Sequence, residues 1–283
     1  IEILIHRLKK SKNSNDIIVL TSNSKSDDVL VNFLKLKSIK YFRGNEDDVL
    51  DRYYNALQIY SCDYIVRITG DCPLLDPNLL DKVIDLTLKS ESDYCSNIFN
   101  DSFPDGQDIE VFKNKVLLNA WEKAKLKSER EHVTPYIIKN TDLKDGKMFK
   151  ANAVESDYDY SKVRMTVDTK TDFNTIEILI NKFGIDSSWD TYTQFIIDNP
   201  EIFSNQQIIR NSGYLESLKS DENTDNLNDG DFDDRSIISA LQDWRVIYAH
   251  DPNYADPFTS ASLGDSVCNP SPMLMEGAQQ AEM

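Results

Sequence analysis

Positive charge is scarce in this chain. Its 283 residues carry 31 Lys+Arg against 48 Asp+Glu, a formal net charge of −17. A surface of that sign repels nucleic-acid phosphates, so no nucleic-acid partner is expected. It still leaves room for a nucleotide whose phosphates ride on a divalent cation held by carboxylates. Cysteine is also sparse. Cys62, Cys72, Cys95 and Cys268 form no CxxC pair and have no His at ligand spacing. That argues against a zinc site and fits the reduced thiols of a cytoplasmic protein. No run of about 18 apolar residues occurs, so neither a transmembrane helix nor a membrane partner is expected. The chain opens Ile1-Glu2-Ile3-Leu4, with no initiator Met, basic n-region or small-residue cleavage site. The expectation is a true start lying upstream. What is present is ordinary for a globular protein: 40% hydrophobic and 28% charged residues, with length for one substantial α/β domain, or one domain plus an appendage.

Periodicity organises the first 220 residues. Ile1, Leu4, Ile5 and Leu8 sit at helical spacing, and Ile17–Leu20 reads as a buried strand. A helix carrying Leu30, Phe33 and Leu34 follows, then a strand Ile39–Phe42, then a helix carrying Leu50, Tyr54 and Leu57. Tyr64–Ile68 is the next strand, and Pro77–Lys89 the next helix, with Asp76 as N-cap. This alternation argues for βαβ units and a largely parallel sheet. Strands are then expected at Asp93–Asn97, Asp108–Phe112, Lys147–Val154 and Lys162–Val167, with helices at Lys115–Lys125, Asp172–Phe183 and Tyr192–Asp198. Ser128–Glu131 reads as a capping box leading into a helix that Pro135 should kink or split. From about Asp221 the composition shifts. Residues 223–283 hold 11 acidic residues, two arginines and no lysine. The expected organisation is an α/β domain over 1–220 and an acidic, disordered tail over 221–283. Trp244–Tyr248 is the tail's one strand-like island.

Four stretches can carry chemistry. Tyr64–Ile68 stops at Thr69-Gly70-Asp71, and ligands of open α/β sheets bind just beyond such strand ends. Asp168 is expected to end the Lys162–Val167 strand in the same way. Two carboxylates on neighbouring strand tips can hold magnesium for phosphoryl or nucleotidyl transfer, though many aspartates simply end strands. In Arg43-Gly44-Asn45-Glu46-Asp47-Asp48, a Gly turn enters a helix N-terminus. That is either an anion or ribose site, or only a well-formed helix start. In Phe103–Glu110, polar side chains including Asp105, Asp108 and Glu110 can face a polyhydroxylated substrate or water. Ser128–His132 offers Arg130 for an acidic group and His132 as a base, or both as surface ion pairs.

These stretches in this order resemble the spore coat polysaccharide biosynthesis protein F family. The match runs through Phe42–Tyr54, Val66–Leu74, Phe103–Phe112, Ser128–Tyr136, Arg164–Thr169 and Arg210–Leu215, over about residues 1–220. That family is similar to the cytidylyltransferases that activate acidic sugars, such as the acylneuraminate and ketodeoxyoctonate enzymes. The resemblance implies a Rossmann-like, three-layer nucleotide-diphospho-sugar transferase fold with a mixed, mostly parallel sheet. It implies CTP and an acidic sugar as substrates, magnesium as cofactor, a role in surface polysaccharide synthesis, and a homodimer as the candidate assembly. It assigns Asp71 and Asp168 to the metal and the catalysis. Arg43, Asp48, Arg52, Thr69 and Gly70 fall to the nucleotide; Asp105, Asp108, Glu110, Arg130, His132 and Arg164 fall to the sugar. The alternatives are a glycosyltransferase of the same fold and a non-catalytic domain.

Three departures stand out. The family's opening strand and its Gly/Arg/Ser/Lys-rich triphosphate loop are absent, the proline after Asp-Thr is Lys170, and the tail matches nothing in the family. Loss of the opening strand would leave an apolar edge at the sheet centre and remove triphosphate donors. The expectation is therefore a fragment with weak or no activity, with Trp244–Tyr248 as one candidate to fill the vacant position.

Overall fold

The structure is a computed structural model that describes residues 1–13, 16–203, 210, 212–224 and 245–250. In chain order the elements are α1 (Glu2–Leu8), β1 (Asp16–Ser22), α2 (Asp28–Leu36), β2 (Lys40–Gly44), α3 (Val49–Leu57), β3 (Tyr64–Thr69) and α4 (Pro77–Ser90). Then come β4 (Tyr94–Ser96), β5 (Glu110–Lys113), α5 (Asn114–Lys123), α6 (Lys127–His132), α7 (Pro135–Lys139) and β6 (Ala151–Ala153). The remainder is α8 (Lys170–Phe183), α9 (Trp189–Asp198), α10 (Pro200–Phe203), α11 (Ser212–Thr224) and β7 (Arg245–His250). No helix among the described residues is long and apolar enough to cross a membrane.

Strand side chains alternate between faces, and that alternation builds three layers. On one face Ile18, Leu20, Ile65, Tyr94 and Phe112 pack with Leu50, Tyr53 and Ala56 of α3 and Val116, Leu117 and Ala120 of α5. On the other, Val66, Ile68, Cys95 and Val111 pack with Leu4 and Leu8 of α1 and Leu80, Val83 and Ile84 of α4. Each large aliphatic or aromatic side chain removed from water here contributes about 1.5–3 kcal/mol. The helix starts follow their caps. Asp76 accepts from the N–H groups of Asn78 and Leu79, with Pro77 at the first helical position. Thr169 and Asp172 cap α8 reciprocally.

The sheet order is β2-β1-β7-β3-β5-β4-β6. β1 and β3 do not pair with each other. β7 lies between them, antiparallel to both: Arg245–Ala249 pairs with Asp16–Leu20, and the whole of β7 pairs with Tyr64–Thr69. The gap expected at the sheet centre is thus filled, and by the island proposed for it, which arrives from beyond residue 220. Following the pairings, β1, β2, β3, β4 and β6 run one way, and only β5 and β7 run against them. The sheet is mixed and mostly parallel. The compact unit so formed spans Ile1–Asp251. Apart from α11 and β7, the segment expected to be a disordered tail lies outside the described residues.

Two expectations need correction. Lys162–Val167 forms no ladder. Arg164 makes a single-residue parallel bridge to Asp105, so the segment's partner is a loop rather than a strand. Asp168 therefore sits in the loop before α8 and not at a strand tip. The capping box at Ser128–Glu131 is also displaced. Glu129 caps α6 by accepting from the N–H groups of Lys125 and Leu126. The expected break at Pro135 does occur, between α6 and α7.

Since β7 alone joins the two halves of the sheet, a chain ending at residue 224 would expose two strand edges. It is expected to aggregate or to lose cooperative unfolding in urea, and limited proteolysis of the intact chain is expected to spare residues 245–250. A truncated chain as stable as the full one would refute this role.

Candidate active site

A cavity of about 540 Å³ opens beyond the C-terminal end of β3. Its floor is made by two loops that the sequence holds rigidly together. Gln107, fully buried, accepts from the Asp76 N–H at 2.9 Å and donates to the Leu74 carbonyl at 3.1 Å. Asn97 donates to the Gln107 carbonyl at 2.6 Å and accepts from the Ile109 N–H at 2.8 Å. Gly106 has φ +103°, and a Cβ there would lie 2.7 Å from the Met165 carbonyl carbon. Only glycine permits that close approach. The loop carrying Asp105 and Asp108 is thereby fixed against both the β3–α4 turn and the strand-like Val163–Met165 segment.

Acids converge on this floor. Asp71, Asp105, Asp108, Glu110 and Asp168 all line the cavity. Asp71 and Asp168 are brought together through the main chain, the Val167 N–H donating to the Asp71 carbonyl at 2.9 Å. Arg164, only 7% exposed in its side chain, holds the cluster. It donates to Asp105 at 2.6 Å, to Asp172 at 3.1 and 3.3 Å, and to Asp168. Burial alone would disfavour its charge, but Asp172, Asp105 and Asp168 keep the guanidinium charged more firmly than usual. Burial raises the Asp105 carboxyl above the ordinary aspartate range. Arg164 and Arg210 oppose that, and Asp71 and Asp168 add to it. Asp108 is pushed up to about 7, by burial first and by Asp105 and Asp71 besides, against the pull of Arg210.

The opposite wall is cationic and aromatic. His132, Lys139, Lys144, Phe99 and Tyr214 line it. Lys144 lies over the Phe99 ring at 5.9 Å, and Lys139 pairs with Glu129. His132 Nε2 meets the Ser217 hydroxyl at 3.0 Å, and Tyr214 packs edge-on against the imidazole at 5.3 Å. Val133, β-branched and buried, sits at φ +71° between His132 and Thr134. Strain of this kind is held at sites where surrounding structure over-determines the backbone.

The residues marked in the sequence divide in two. Asp71, Thr69, Asp105, Asp108, Glu110, His132, Arg164 and Asp168 meet in the cavity. Glu110 is committed within it, bound by Arg67 and by the Tyr94 hydroxyl at 2.6 Å. Arg43, Asp48, Arg52, Gly70 and Arg130 are not among its lining residues. Arg52 is fully buried and grips the Asn45 and Glu46 carbonyls. Arg43 binds the Ser22 and Ser24 carbonyls and Asp28. Asp48 caps α3 and receives both Nε and Nη2 of Arg130, at 2.9 and 2.6 Å. These groups build the β2–α3 side of the fold. Lys139, Lys144 and Phe99 were not marked, because an exposed lysine or a loop aromatic carries no pattern of its own. Tyr214 and Arg210 lay within the Arg210–Leu215 stretch that supported the resemblance but drew no role.

The donor set suits magnesium. Among the described residues no group of three or more metal-type side chains gathers at one point, so a cation here would rely on Asp71, Asp168 and oxygens of the substrate. Magnesium is commonly held that way, by one or two carboxylates plus phosphates. Asp71 and Asp168 add to the burial that lifts Asp105, and a divalent cation would relieve that added repulsion.

The cytidylyltransferase family model matches residues 1–217. An uncharacterized protein of Methanocaldococcus jannaschii is 41% identical over 222 residues, spanning 76% of this chain and 87% of that protein. The spore coat polysaccharide biosynthesis protein SpsF of Bacillus subtilis is 32% identical over 191 residues, spanning 65% of this chain and 76% of that protein. A solved cytidylyltransferase from Leptospira borgpetersenii serovar Hardjo-bovis has a TM-score of 0.67 at 34% identity, covering 74% of this chain and 87% of its own.

Two outcomes follow from the charge network. Arg164→Ala leaves Asp105, Asp168 and Asp172 without their shared cation and is expected to cost about 3–5 kcal/mol in urea unfolding; a loss below about 1 kcal/mol would refute the hub. Asp108, with its folded pKa raised to about 7, holds a proton in the folded chain that the unfolded chain has released. Stability from that proton is full below the ordinary aspartate range and is lost as pH rises through about 7. Asp108→Asn is therefore expected to raise the thermal midpoint at pH 8, by an amount that shrinks toward pH 4.

Proposed function

The chain belongs to the cytidylyltransferase family, and from that premise we propose that it activates an acidic sugar with CTP, giving a CMP-sugar and pyrophosphate for surface polysaccharide synthesis. A sugar hydroxyl attacks the α-phosphorus, and the bond to the β-phosphate oxygen breaks. The observation that carries this reading is the convergence of Asp71 and Asp168 on one cavity, their backbones joined by the Val167–Asp71 hydrogen bond.

Asp71 and Asp168 would hold magnesium, which when bound offsets charge on the phosphate oxygens and orients them. Arg164 keeps Asp168 in place from below, so that this carboxylate does not reorganise when the nucleotide arrives. On the far wall Lys144 supplies an exposed ammonium over an aromatic face, suited to the carboxylate of an acidic acceptor. The polar loop Asp105–Asp108 faces the acceptor hydroxyls. The name of the B. subtilis relative supports the link to polysaccharide synthesis.

The assay supplies CTP, magnesium and a panel of acceptors (an acylneuraminate, ketodeoxyoctonate and neutral hexoses) and measures pyrophosphate. Release with an acidic member is expected, and Asp71→Asn is expected to lower kcat by about 10²-fold or more. Release only with a neutral hexose would overturn the acidic acceptor. Absence of release throughout, with transfer from a nucleotide sugar instead, would favour the glycosyltransferase reading.

A further inference from the structure

We propose that Arg67 orients the acceptor, the Nε–Nη2 edge of its guanidinium taking the acceptor's carboxylate as a hydrogen-bonded fork. The assignment rests on the acidic-acceptor reading above and names the side chain that would recognise the acid.

Arg67 lies on β3 and lines the cavity, with 12% of its side chain exposed. Strand alternation puts it on the face of Ile65, which packs with Tyr94 and Phe112. Its Cα precedes that of Thr69 by roughly 7 Å along the strand, so it stands back from the turn that carries Asp71. One of its three nitrogens is engaged. Nη1 pairs with Glu110 Oε1, and the other oxygen of Glu110 is held by the Tyr94 hydroxyl at 2.6 Å. Nε is buried without a hydrogen-bond partner among the described residues, and Nη2 has none there either. These two nitrogens share one edge of the guanidinium, spaced to match the two oxygens of a carboxylate. A buried donor left unpaired is costly, more so on a charged group, and calls for a ligand or a water to complete it.

The other cations of the cavity are spent or lack the fork. Arg164 is divided among three aspartates. Lys139 is paired with Glu129, and His132 meets Ser217. Lys144 is exposed, a point charge on a flexible stem that can attract an anion but not fix its plane. Of the described residues that bury a side-chain polar atom without a hydrogen-bond partner, Arg67 alone lines the cavity.

Position favours a carboxylate over a phosphate. The metal-bound phosphates belong with Asp71 and Asp168, in the turn after β3 and the loop before α8. Arg67 instead joins the aromatic wall. Tyr94, which holds Glu110, packs edge-on against Phe99 at 5.6 Å, and Lys144 lies over the same Phe99 ring at 5.9 Å. The Arg67–Glu110 pair also carries no net charge, which suits one carboxylate better than the several charges of a triphosphate.

The test uses the full chain with CTP, magnesium, acylneuraminate or ketodeoxyoctonate, and the methyl ester of each. Arg67→Lys keeps a cation for Glu110 and loses the fork. It is expected to lower kcat/KM for the acids by about 10- to 100-fold, while kcat/KM for the esters and calorimetric CTP affinity stay within about threefold. Wild type should prefer acid to ester by that same factor, and the variant should lose the preference. A variant that keeps the preference, or that loses acid and ester alike, overturns the fork. A fall in CTP affinity with the preference intact assigns Arg67 to the phosphates and overturns the carboxylate. If Arg67→Lys lowers the urea midpoint, the double variant Arg67→Gln/Glu110→Gln, which removes the ion pair whole, is read by the same outcomes. If wild type releases no pyrophosphate with any acceptor, nucleotidyl transfer falls, and saturation-transfer NMR decides Arg67 separately. Acylneuraminate bound by wild type, but not by Arg67→Lys and not as its ester, supports the fork; equal binding or none overturns it.

Discussion

Carboxylates that share a cavity repel one another, and this fold holds five of them in one cavity by setting the guanidinium groups of Arg67, Arg164 and Arg210 among them. Arg164 reaches Asp105, Asp168 and Asp172 at once. Each contact ties a different segment: the glycine-containing loop, the turn before α8, and α8 itself. A planar cation with five donors can do this, and a lysine cannot. Without the guanidinium the acids would take up protons or separate, and the surface facing the substrate would be lost with them. Burial first, and the neighbouring carboxylates besides, hold Asp105 and Asp108 above the ordinary aspartate range although arginines stand beside both.

The site sits over one half of the sheet. Its lining comes from β3 and the turn after it, the loop between β4 and β5 with the start of β5, the α6–α7 break and α7, Lys144, the Arg164–Asp168 segment and α11. The β1–β2–α3 half contributes none of the lining. Arg43, Arg52 and Asp48 spend their hydrogen bonds there on backbone carbonyls, a helix cap and Arg130. The two halves meet at β7, so the geometry of the cavity relative to β1 depends on a strand contributed from far along the chain. An antiparallel strand in that position still satisfies the backbone donors and acceptors of both neighbours, which a gap would leave exposed.

Residue patterns guided best where a local rule governs the outcome, although the capping read at Ser128–Glu131 forms at Leu126–Glu129 instead. The Asp76-Pro77 start of α4 and the split before Pro135 both form as read, because each depends on neighbours within one turn. The reading failed where an alternating segment needed a distant partner. Lys162–Val167 has strand-like alternation, yet the chain offers it only the Asp105 loop, so it makes one bridge and stops. Arg130 and Asp48 had each been assigned to a ligand. They instead found one another across 82 positions of sequence, a pairing no local signal encodes.

By itself, then, the sequence determined the family and the alternation of helices and strands, and it marked the acids that line the cavity, since motif order and period are properties of the chain read in one dimension. Tertiary structure decided which of those acids pair with which arginines, which lysines and aromatics share the cavity with them, and which strand joins the two halves of the sheet. Those outcomes depend on desolvation and on partners brought together from remote positions, and both exist only once the chain has closed on itself.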